Sequence, residues 1–248
     1  GYKVSVITRN RQITEDKVES NVDLIEWDNI SPLSSIYDSK DFDVVINFAG
    51  ESIGNRRWSN SVKQEILNSR ISTTRSIVNA INDGTMNPKV LINASAVGYY
   101  GPRQDDKITE SEGPGQDFLA EVCRKWEDEA YKVQNEFTRV VTIRIGLVLG
   151  SQGALTRMVL PYKFYVGGPL GKGNQWLPWI HIQDLVRMLR FIIEHDEVTG
   201  PVNGTAPEPV RMKEFSKVLG EILKRPSWFP VPEFILKIVL GQMSEMLI

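Results

Sequence analysis

The chain has 248 residues and a formal net charge of −2, from 29 basic and 31 acidic side chains. This length suits one large domain or a core with a smaller lobe, and the balanced charge argues against nucleic acid as a main partner. A single cysteine, Cys123, excludes a disulfide framework, and two histidines are too few for a Cys/His metal cluster. No apolar run approaches the roughly 20 residues that span a bilayer. We therefore expect an intracellular protein without a metal site, a nucleic-acid partner or a membrane span.

Strands and helices are predicted to alternate through the first 150 residues. Five apolar runs predict strands, at residues 4–8, 22–27, 43–49, 90–92 and 140–149. Two stretches with apolar residues at helical spacing predict helices, at residues 58–81 and 118–135, and Asp117 is the expected N-cap of the second. A polar connection is expected over residues 31–41. This alternation is typical of an α/β fold with a doubly wound parallel sheet.

The last third of the chain is different, and we predict a core over residues 1–165 and a mixed lobe over 166–248. The lobe is expected to contain a short strand at 202–205 and helices at 185–194, capped by Asp184, and at 212–223. Its glycines and aromatic residues are expected to line a substrate cleft, although the aromatic residues would equally suit a packed lobe interface: Gly167, Gly168, Gly171, Gly173, Trp176, Trp179 and His181. The glycine run does not have the spacing of a P-loop.

The most informative stretch is KVLINASAVGYYG, at residues 89–101. Its apolar part predicts a central strand that is buried on both faces, and a small polar step and a Gly/Tyr turn follow. Ligands of open α/β sheets bind just beyond the carboxyl ends of the strands, so Ser95, Tyr99 and Tyr100 are expected to project into a site. The alternative is that these residues only end the strand and shape the turn.

Basic residues follow the first predicted strand, at Arg9 and Arg11. Where a dinucleotide fold is specific for NAD, the end of its second strand usually carries an acidic residue for the ribose hydroxyls, whereas two arginines suit a 2′-phosphate. The sequence therefore favours NADP, with a solvated basic loop as the alternative. Gly50, after the third strand, lacks the side chain that would block a phosphate or ribose from the backbone.

Seven motifs together resemble the short-chain dehydrogenase/reductase superfamily, in its extended, epimerase-like branch. They are VSVITRN, VVINFAGESI, RRWSNSVKQEILNSR, NASAVGYYG, DFLAEVCRKWE, IRIGLVLG and GGPLGKGNQWLPWIHIQDL, and they extend over nearly the whole chain. The sequence is most similar to an NADP-dependent epimerase-like family whose members are sometimes described as cell-division-inhibitor homologues. The resemblance implies a Rossmann-like sheet, a small C-terminal substrate lobe and NADP as the cofactor.

The resemblance also implies roles for individual residues. Thr8 and Arg9 would meet the 2′-phosphate end of NADP, and Ser95 would hydrogen-bond a substrate oxygen. The remaining implied cofactor contacts are Phe48, Ala49 and Gly50 along the adenosine and ribose, Glu65 and Arg70 beside that half, and Val148 on the nicotinamide side.

One departure from the family pattern affects the chemistry. Active members pair the serine with a tyrosine and a lysine four residues later, and the lysine depresses the pKa of the tyrosine. The matching positions here are Leu119 and Cys123, and no tyrosine of the chain has lysine at this spacing. Either Tyr99 or Tyr100 acts as the acid, or the protein binds NADP without dehydrogenase chemistry. Cys123 is expected to be a buried helix residue rather than a nucleophile.

The resemblance further implies a first βα unit with a Gly-rich turn before residue 1, about 20 to 25 residues long, and a final strand and helix after residue 248. We therefore expect the chain to be cut at both ends and to bind dinucleotide poorly as it stands, and organelle targeting stays open. The sequence predicts an NADP-dependent oxidoreductase of a small carbonyl or alcohol substrate. The alternatives are an NADP-sensing regulatory protein and a cofactor-retaining epimerase. The oligomeric state is open.

Overall fold

The computed structural model of the chain describes residues 1–28, 31–33 and 42–246. The predicted polar connection over residues 31–41 therefore lies largely outside the described residues. Within the described parts no helix is both long and apolar enough to cross a membrane. In the same parts, no group of three or more His, Cys, Asp or Glu side chains is arranged to hold a metal ion.

The elements follow in chain order, with strands and helices alternating through most of the chain. They are β1 (Ser5–Thr8), α1 (Arg11–Glu15), β2 (Asp23–Glu26), β3 (Val44–Asn47), α2 (Asn60–Asn82), β4 (Val90–Ala96), α3 (Phe118–Ala130), β5 (Arg139–Ile145), β6 (Leu147–Leu149), α4 (Ala154–Lys163), β7 (Trp176–Leu177), β8 (Trp179–His181), α5 (Ile182–Glu194), β9 (Gly200–Gly204), β10 (Val210–Arg211), α6 (Met212–Leu223) and α7 (Glu233–Leu240). Short 3₁₀ helices occupy Val97–Tyr100 and Gly241–Met246.

The central sheet has four parallel strands in the order β3-β4-β5-β9. Strands β1 and β2 form a separate parallel pair. Strand β9 belongs to the central sheet although it falls in the range assigned to the C-terminal lobe, and the division at residue 165 stays a prediction.

Helices cover both faces of this sheet, because successive side chains of a strand point to opposite faces. Val90 and Ile92 of β4 pack in one buried cluster with Leu185 and Ile192 of α5. Leu91, between them, packs in another cluster with the last turns of α2. The predicted α/β fold with a doubly wound parallel sheet is confirmed.

The prediction of one strand over residues 140–149 was wrong, because the chain changes sheets at Gly146. A Cβ atom on Gly146 would lie 2.6 Å from the carbonyl oxygen of Pro178. That same oxygen accepts a hydrogen bond from the Leu147 backbone N–H at 2.8 Å. Strand β5 therefore ends at Ile145, and β6 continues in a separate pair with β8.

Two helix boundaries also differ from the predictions. Helix α5 begins at Ile182, and its N-cap is His181, whose ring nitrogen accepts from the Gln183 backbone N–H at 3.3 Å. Asp184 lies in the first turn, so its assignment as the cap was wrong. Helix α3 ends at Ala130, earlier than expected, but Asp117 caps it as predicted.

Gly167 and Gly168, which are predicted to line a cleft, lie against other parts of the chain. A Cβ atom on Gly167 would lie 2.3 Å from a ring carbon of Tyr162, and one on Gly168 would lie 2.2 Å from the carbonyl oxygen of Phe229. These glycines allow close packing inside the C-terminal part of the chain. The substrate cleft expected along the glycines of residues 167–173 stays a prediction.

Candidate active site

A buried polar network fixes the carboxyl ends of β3 and β4. The Asn47 side-chain amide donates to Thr74 Oγ1 at 2.9 Å and to Asn93 Oδ1 at 2.7 Å, and Trp126 Nε1 donates to Thr74 Oγ1 at 2.9 Å. All four side chains are buried. Because buried hydrogen-bonding groups hold their partners in defined positions, the network ties these two strand ends to α2 and α3.

Ser95 lies two residues after Asn93 in β4 and therefore on the same face of the strand. Its side chain is only 3% exposed, and its Oγ donates to Glu127 Oε1 of α3 at 2.6 Å. Arg144 of β5 donates to both oxygens of Glu127, at 3.0 and 2.8 Å, and both of these side chains are buried. The hydroxyl of Ser95 is thus bonded to one member of a buried, bidentate ion pair.

The same arginine reaches the two predicted tyrosines. Its NH1 donates to the Tyr100 hydroxyl at 2.9 Å, and that hydroxyl donates to Asn203 Oδ1 at 2.6 Å. The guanidinium carbon also lies 3.5 Å from the ring centroid of Tyr99. Burial raises the pKa of Tyr100 and exceeds the opposing effect of Arg144, so the phenol keeps its proton at neutral pH. Arg144 and Glu127 therefore bring together Ser95, Tyr99 and Tyr100.

The face of α3 that approaches Ser95 carries Leu119, Cys123 and Glu127, spaced by four residues. A Cβ atom on Gly98 would lie 3.4 Å from Leu119 Cβ. Cys123 is buried, and burial raises the pKa of its thiol to about 11. The two positions that match the tyrosine and lysine of active relatives thus hold an aliphatic side chain and a neutral thiol.

The predicted cofactor residues of β1 lie at its carboxyl end. Thr8 Oγ1 is 2.7 Å from Thr14 Oγ1, which fixes the start of the turn. The Arg9 side chain is 76% exposed, and its guanidinium lies 3.9 Å from Glu51, in the loop after β3. The carboxyl ends of β1 and β3 are therefore close together, with the charge of Arg9 open to solvent between them.

The loop after β3 holds the next three predicted cofactor residues. Phe48 is 51% exposed, and Ala49 and Gly50 are exposed as well. The Ala49 N–H donates to Asn47 Oδ1 at 3.1 Å, so the buried network also orients this loop. An added Cβ on Gly50 would lie 3.0 Å from the guanidinium carbon of Arg70, so a larger residue here would require the Arg70 side chain to shift.

The remaining predicted cofactor residues have different surroundings. Arg70 donates to the carbonyl oxygens of Glu51 and Ile66, both at 3.0 Å, and supports the loop from beneath; burial lowers its pKa. Glu65 is exposed and pairs with Arg56. Val148 packs against the apolar cluster between the sheet and α5. Arg70 thus lies beside the loop after β3, where cofactor contacts are predicted. Glu65 instead contacts Arg56, and Val148 contacts the apolar cluster.

Glu127, Arg144 and Asn203 were not identified from the sequence as site residues. A signal for two of them was present. Arg144 interrupts the apolar strand TIRIG, and Glu127 continues the stripe of Leu119 and Cys123 on α3. A charged residue in a buried strand and another on a buried helix stripe indicate an ion pair.

The parallel sheet and the polar groups at its carboxyl edge define an α/β protein with a Rossmann-like fold. Residues 1–203 match the NAD dependent epimerase/dehydratase family. The chain belongs to this family, which agrees with the resemblance seen in the sequence motifs.

Similar proteins of known sequence or structure extend over most of the chain. The epimerase family protein YfhF of Bacillus subtilis is 41% identical over 251 residues, which include 100% of this chain and 80% of the relative. The chloroplastic SDR39U1 homologue of Arabidopsis thaliana is 46% identical over 201 residues, which include 80% of this chain and 57% of the relative. A crystal structure of the human epimerase family protein SDR39U1 with NADPH superposes with a TM-score of 0.86 at 32% identity, over 100% of this chain and 80% of that one.

Proposed function

We propose that this protein binds NADP(H) at the carboxyl edge of its sheet and transfers hydride between the cofactor and a small carbonyl or alcohol substrate. The observation that carries the proposal is the open guanidinium of Arg9, at the end of β1 and beside the exposed residues that follow β3. The human relative, 32% identical, was solved with NADPH, which supports the same cofactor here. The reaction would take place inside the cell, where nicotinamide nucleotides are found.

The residues at this edge fit the groups of NADP. Arg9 offers charged donors to a 2′-phosphate, and Thr8 precedes it at the same strand end. Phe48 offers an exposed ring to an adenine or ribose face, and Gly50 allows close approach of the backbone. The bound cofactor supplies the hydride, and the protein supplies binding and orientation.

The groups proposed for proton transfer and carbonyl binding are Ser95 and Tyr99. Ser95 can polarise a carbonyl oxygen when its proton turns from Glu127 towards the substrate. Tyr100 is the weaker acid candidate, because its proton is directed at Asn203. Tyr99 is half-buried and lies against the cationic face of Arg144, so it is the proposed acid.

A second candidate function is an NADP(H)-responsive binding protein without turnover. Leu119 and the neutral thiol of Cys123 favour it, because neither replaces the usual tyrosine and lysine. The Ser95 hydroxyl also already donates its hydrogen bond to Glu127. In this alternative the cofactor changes the affinity for a partner, and the polar network is structural.

The two functions are separated by a turnover screen on the full-length protein. NADPH oxidation is followed with a panel of small aldehydes and ketones for the native protein, Ser95→Ala and Tyr99→Phe, with the exposed Tyr165→Phe as the control. Loss of a carbonyl donor or general acid is expected to lower the rate about a hundredfold. Selective NADPH binding without turnover would support the second function. Unchanged turnover in Ser95→Ala would remove that residue from the mechanism.

A further inference from the structure

The loop after the candidate tyrosines is closed at its base. The backbone N–H of Gly115 donates to the carbonyl oxygen of Tyr99 at 2.8 Å, and a Cβ atom on Gly115 would lie 2.7 Å from Gly101 Cα. Residues 101–115, here called the 101–115 loop, thus leave and re-enter the fold at nearly the same point. Compact loops with touching ends frequently carry function, and this one begins directly after Tyr100.

One carboxylate of the 101–115 loop contacts the C-terminal part of the chain. Asp105 Oδ1 accepts from Trp176 Nε1 at 2.9 Å and also from Arg211 NH2. Trp176 and Arg211 are register partners in the antiparallel pair of β7 and β10. Two donors from neighbouring strands therefore converge on one carboxylate oxygen.

These two donors are held in place by other contacts. The guanidinium carbon of Arg211 lies 3.8 Å from the centre of a Trp176 ring, and Arg211 NH1 donates to the backbone oxygen of Asn174. Stacking on an aromatic ring and a backbone bond restrict the guanidinium and leave NH2 directed outward. Trp176 Nε1 and Arg211 NH2, here together called the fork, are two donors suited to binding a carboxylate.

The contact with Asp105 is open to competition. The side chain of Arg211 is 35% exposed and that of Asp105 is 74% exposed, so a solute can reach both. Exposed ion pairs contribute little to stability, so displacement of Asp105 costs little. Hydrogen bonds from Trp176 and Arg211 lower the pKa of Asp105, so at neutral pH it presents a carboxylate.

The position of the fork connects it to the candidate active site. Strand β10 follows β9, whose Asn203 accepts a hydrogen bond from Tyr100. Glu110 of the 101–115 loop also accepts from the Asn203 backbone N–H at 2.9 Å. The 101–115 loop therefore contacts the fork through Asp105 and the surroundings of Tyr100 through Glu110, which links the two places.

We propose that Arg211 and Trp176 form a subsite for a carboxylate group of the substrate, and that Asp105 occupies this subsite in the present structure. The substrate class is then a small carboxylic acid that also bears the reacting carbonyl or hydroxyl group. The second half of this statement rests on the proposed function, whereas the subsite itself can be tested without NADPH. Entry of the substrate carboxylate displaces Asp105 and releases the tip of the 101–115 loop.

The test follows the indole N–H signal of Trp176 by two-dimensional NMR of the full-length protein, assigned with Trp176→Phe. The variants are Asp105→Asn, Arg211→Gln and the neighbouring control Asp106→Asn. Sodium acetate and sodium phosphate are the probes, titrated at constant ionic strength with sodium chloride. Asp105→Asn is expected to move the signal and Asp106→Asn to leave it in place. In Asp105→Asn, acetate should then shift the Trp176 signal towards its native position. The half-saturating acetate concentration should be at least about threefold lower than in the native protein, because the carboxylate of Asp105 no longer competes.

Three results would overturn the proposal. The first is an unchanged Trp176 signal in Asp105→Asn, which would show that the carboxylate does not occupy the fork in solution. The second is an acetate response of Asp105→Asn that is no larger than that of Arg211→Gln. The third is a response to phosphate that equals or exceeds the response to acetate, which would reassign the subsite. NADPH is not used in this experiment, so a failure of the cofactor assignment leaves its outcome unaffected.

Discussion

Ser95 Oγ donates a hydrogen bond to Glu127 Oε1 at 2.6 Å, and both side chains are buried. The same Glu127 oxygen accepts from Arg144 Nε, and its second oxygen accepts from Arg144 NH2. Burial opposes the charge of Arg144, but hydrogen bonds with Glu127 and Tyr100 raise its pKa above the ordinary value. Arg144 therefore stays charged at neutral pH, beside the carboxyl group of Glu127.

Removing both members of this pair is expected to cost much less than the sum of the costs of removing each one alone. Glu127→Met or Arg144→Met leaves a buried charge without its partner, and each is expected to cost about 3 to 5 kcal/mol. The double variant should cost clearly less than the sum of the two. Urea unfolding of the four proteins measures the coupling. The exposed pair Arg124–Asp128, replaced in the same way, is the control, with an expected coupling of at most about 1 kcal/mol. Additive costs at positions 127 and 144 would contradict the buried pair.

Cys123 is expected to resist thiol reagents as long as the protein is folded. Its pKa is raised to about 11 by burial, so less than about 1% of the thiol is ionised at pH 8.5. It is the only cysteine of the sequence, and labelling with iodoacetamide therefore reports on one site. Labelling should become rapid only in denaturing urea, with free cysteine as the control for reagent activity. Rapid labelling of the folded protein would show that solvent reaches the face of α3 that approaches Ser95.

The order of strands and helices could be predicted from the sequence because apolar runs and helical spacing are local signals. The role of Asp117 as a cap was readable for the same reason. The break at Gly146 was not, because it depends on the distant carbonyl of Pro178. His181 as the cap of α5 was missed because Asp184 is the commoner residue type at that position.

The candidate site was predictable only in part, since strand order brings Ser95 and Tyr100 to one edge but does not show what they contact. The partners of these residues, Glu127 and Arg144, are 17 positions apart in the chain, and their pairing depends on how α3 lies over β5. Such contacts follow from tertiary packing rather than from a local pattern. The contact of Asp105 with Arg211 spans 106 positions and was equally hidden.

The closed base of the 101–115 loop gives a prediction with a matched control. Gly115→Ala places a methyl group within 2.7 Å of Gly101 Cα, which forces the base of the loop apart, whereas Gly113→Ala meets no atom of the described residues within 4 Å. Arg103 and Lys107 provide trypsin sites inside the loop. Gly115→Ala is expected to raise the rate of cleavage there about fivefold or more, because local opening becomes easier by about 1 kcal/mol. Equal cleavage of the two variants would argue against the tight base.

Arg9 is expected to separate NADPH from NADH. Arg9→Ala removes charged donors from the end of β1, and a hydrogen bond to a charged group contributes about 1.5 to 3 kcal/mol. NADPH binding should weaken roughly ten- to a hundredfold, and NADH binding less than about threefold. Lys17→Ala, which removes a positive charge shortly after α1, is the control and should leave both affinities nearly unchanged. An equal effect of the two variants would show that Arg9 acts only through general charge.

The most direct test of the account is a fluorescence titration of the full-length native protein with NADPH and with NADH. A 2′-phosphate bound by Arg9 predicts that NADPH binds at least about tenfold more tightly than NADH. Equal affinities, a preference for NADH, or no binding of either nucleotide would contradict the proposed cofactor site.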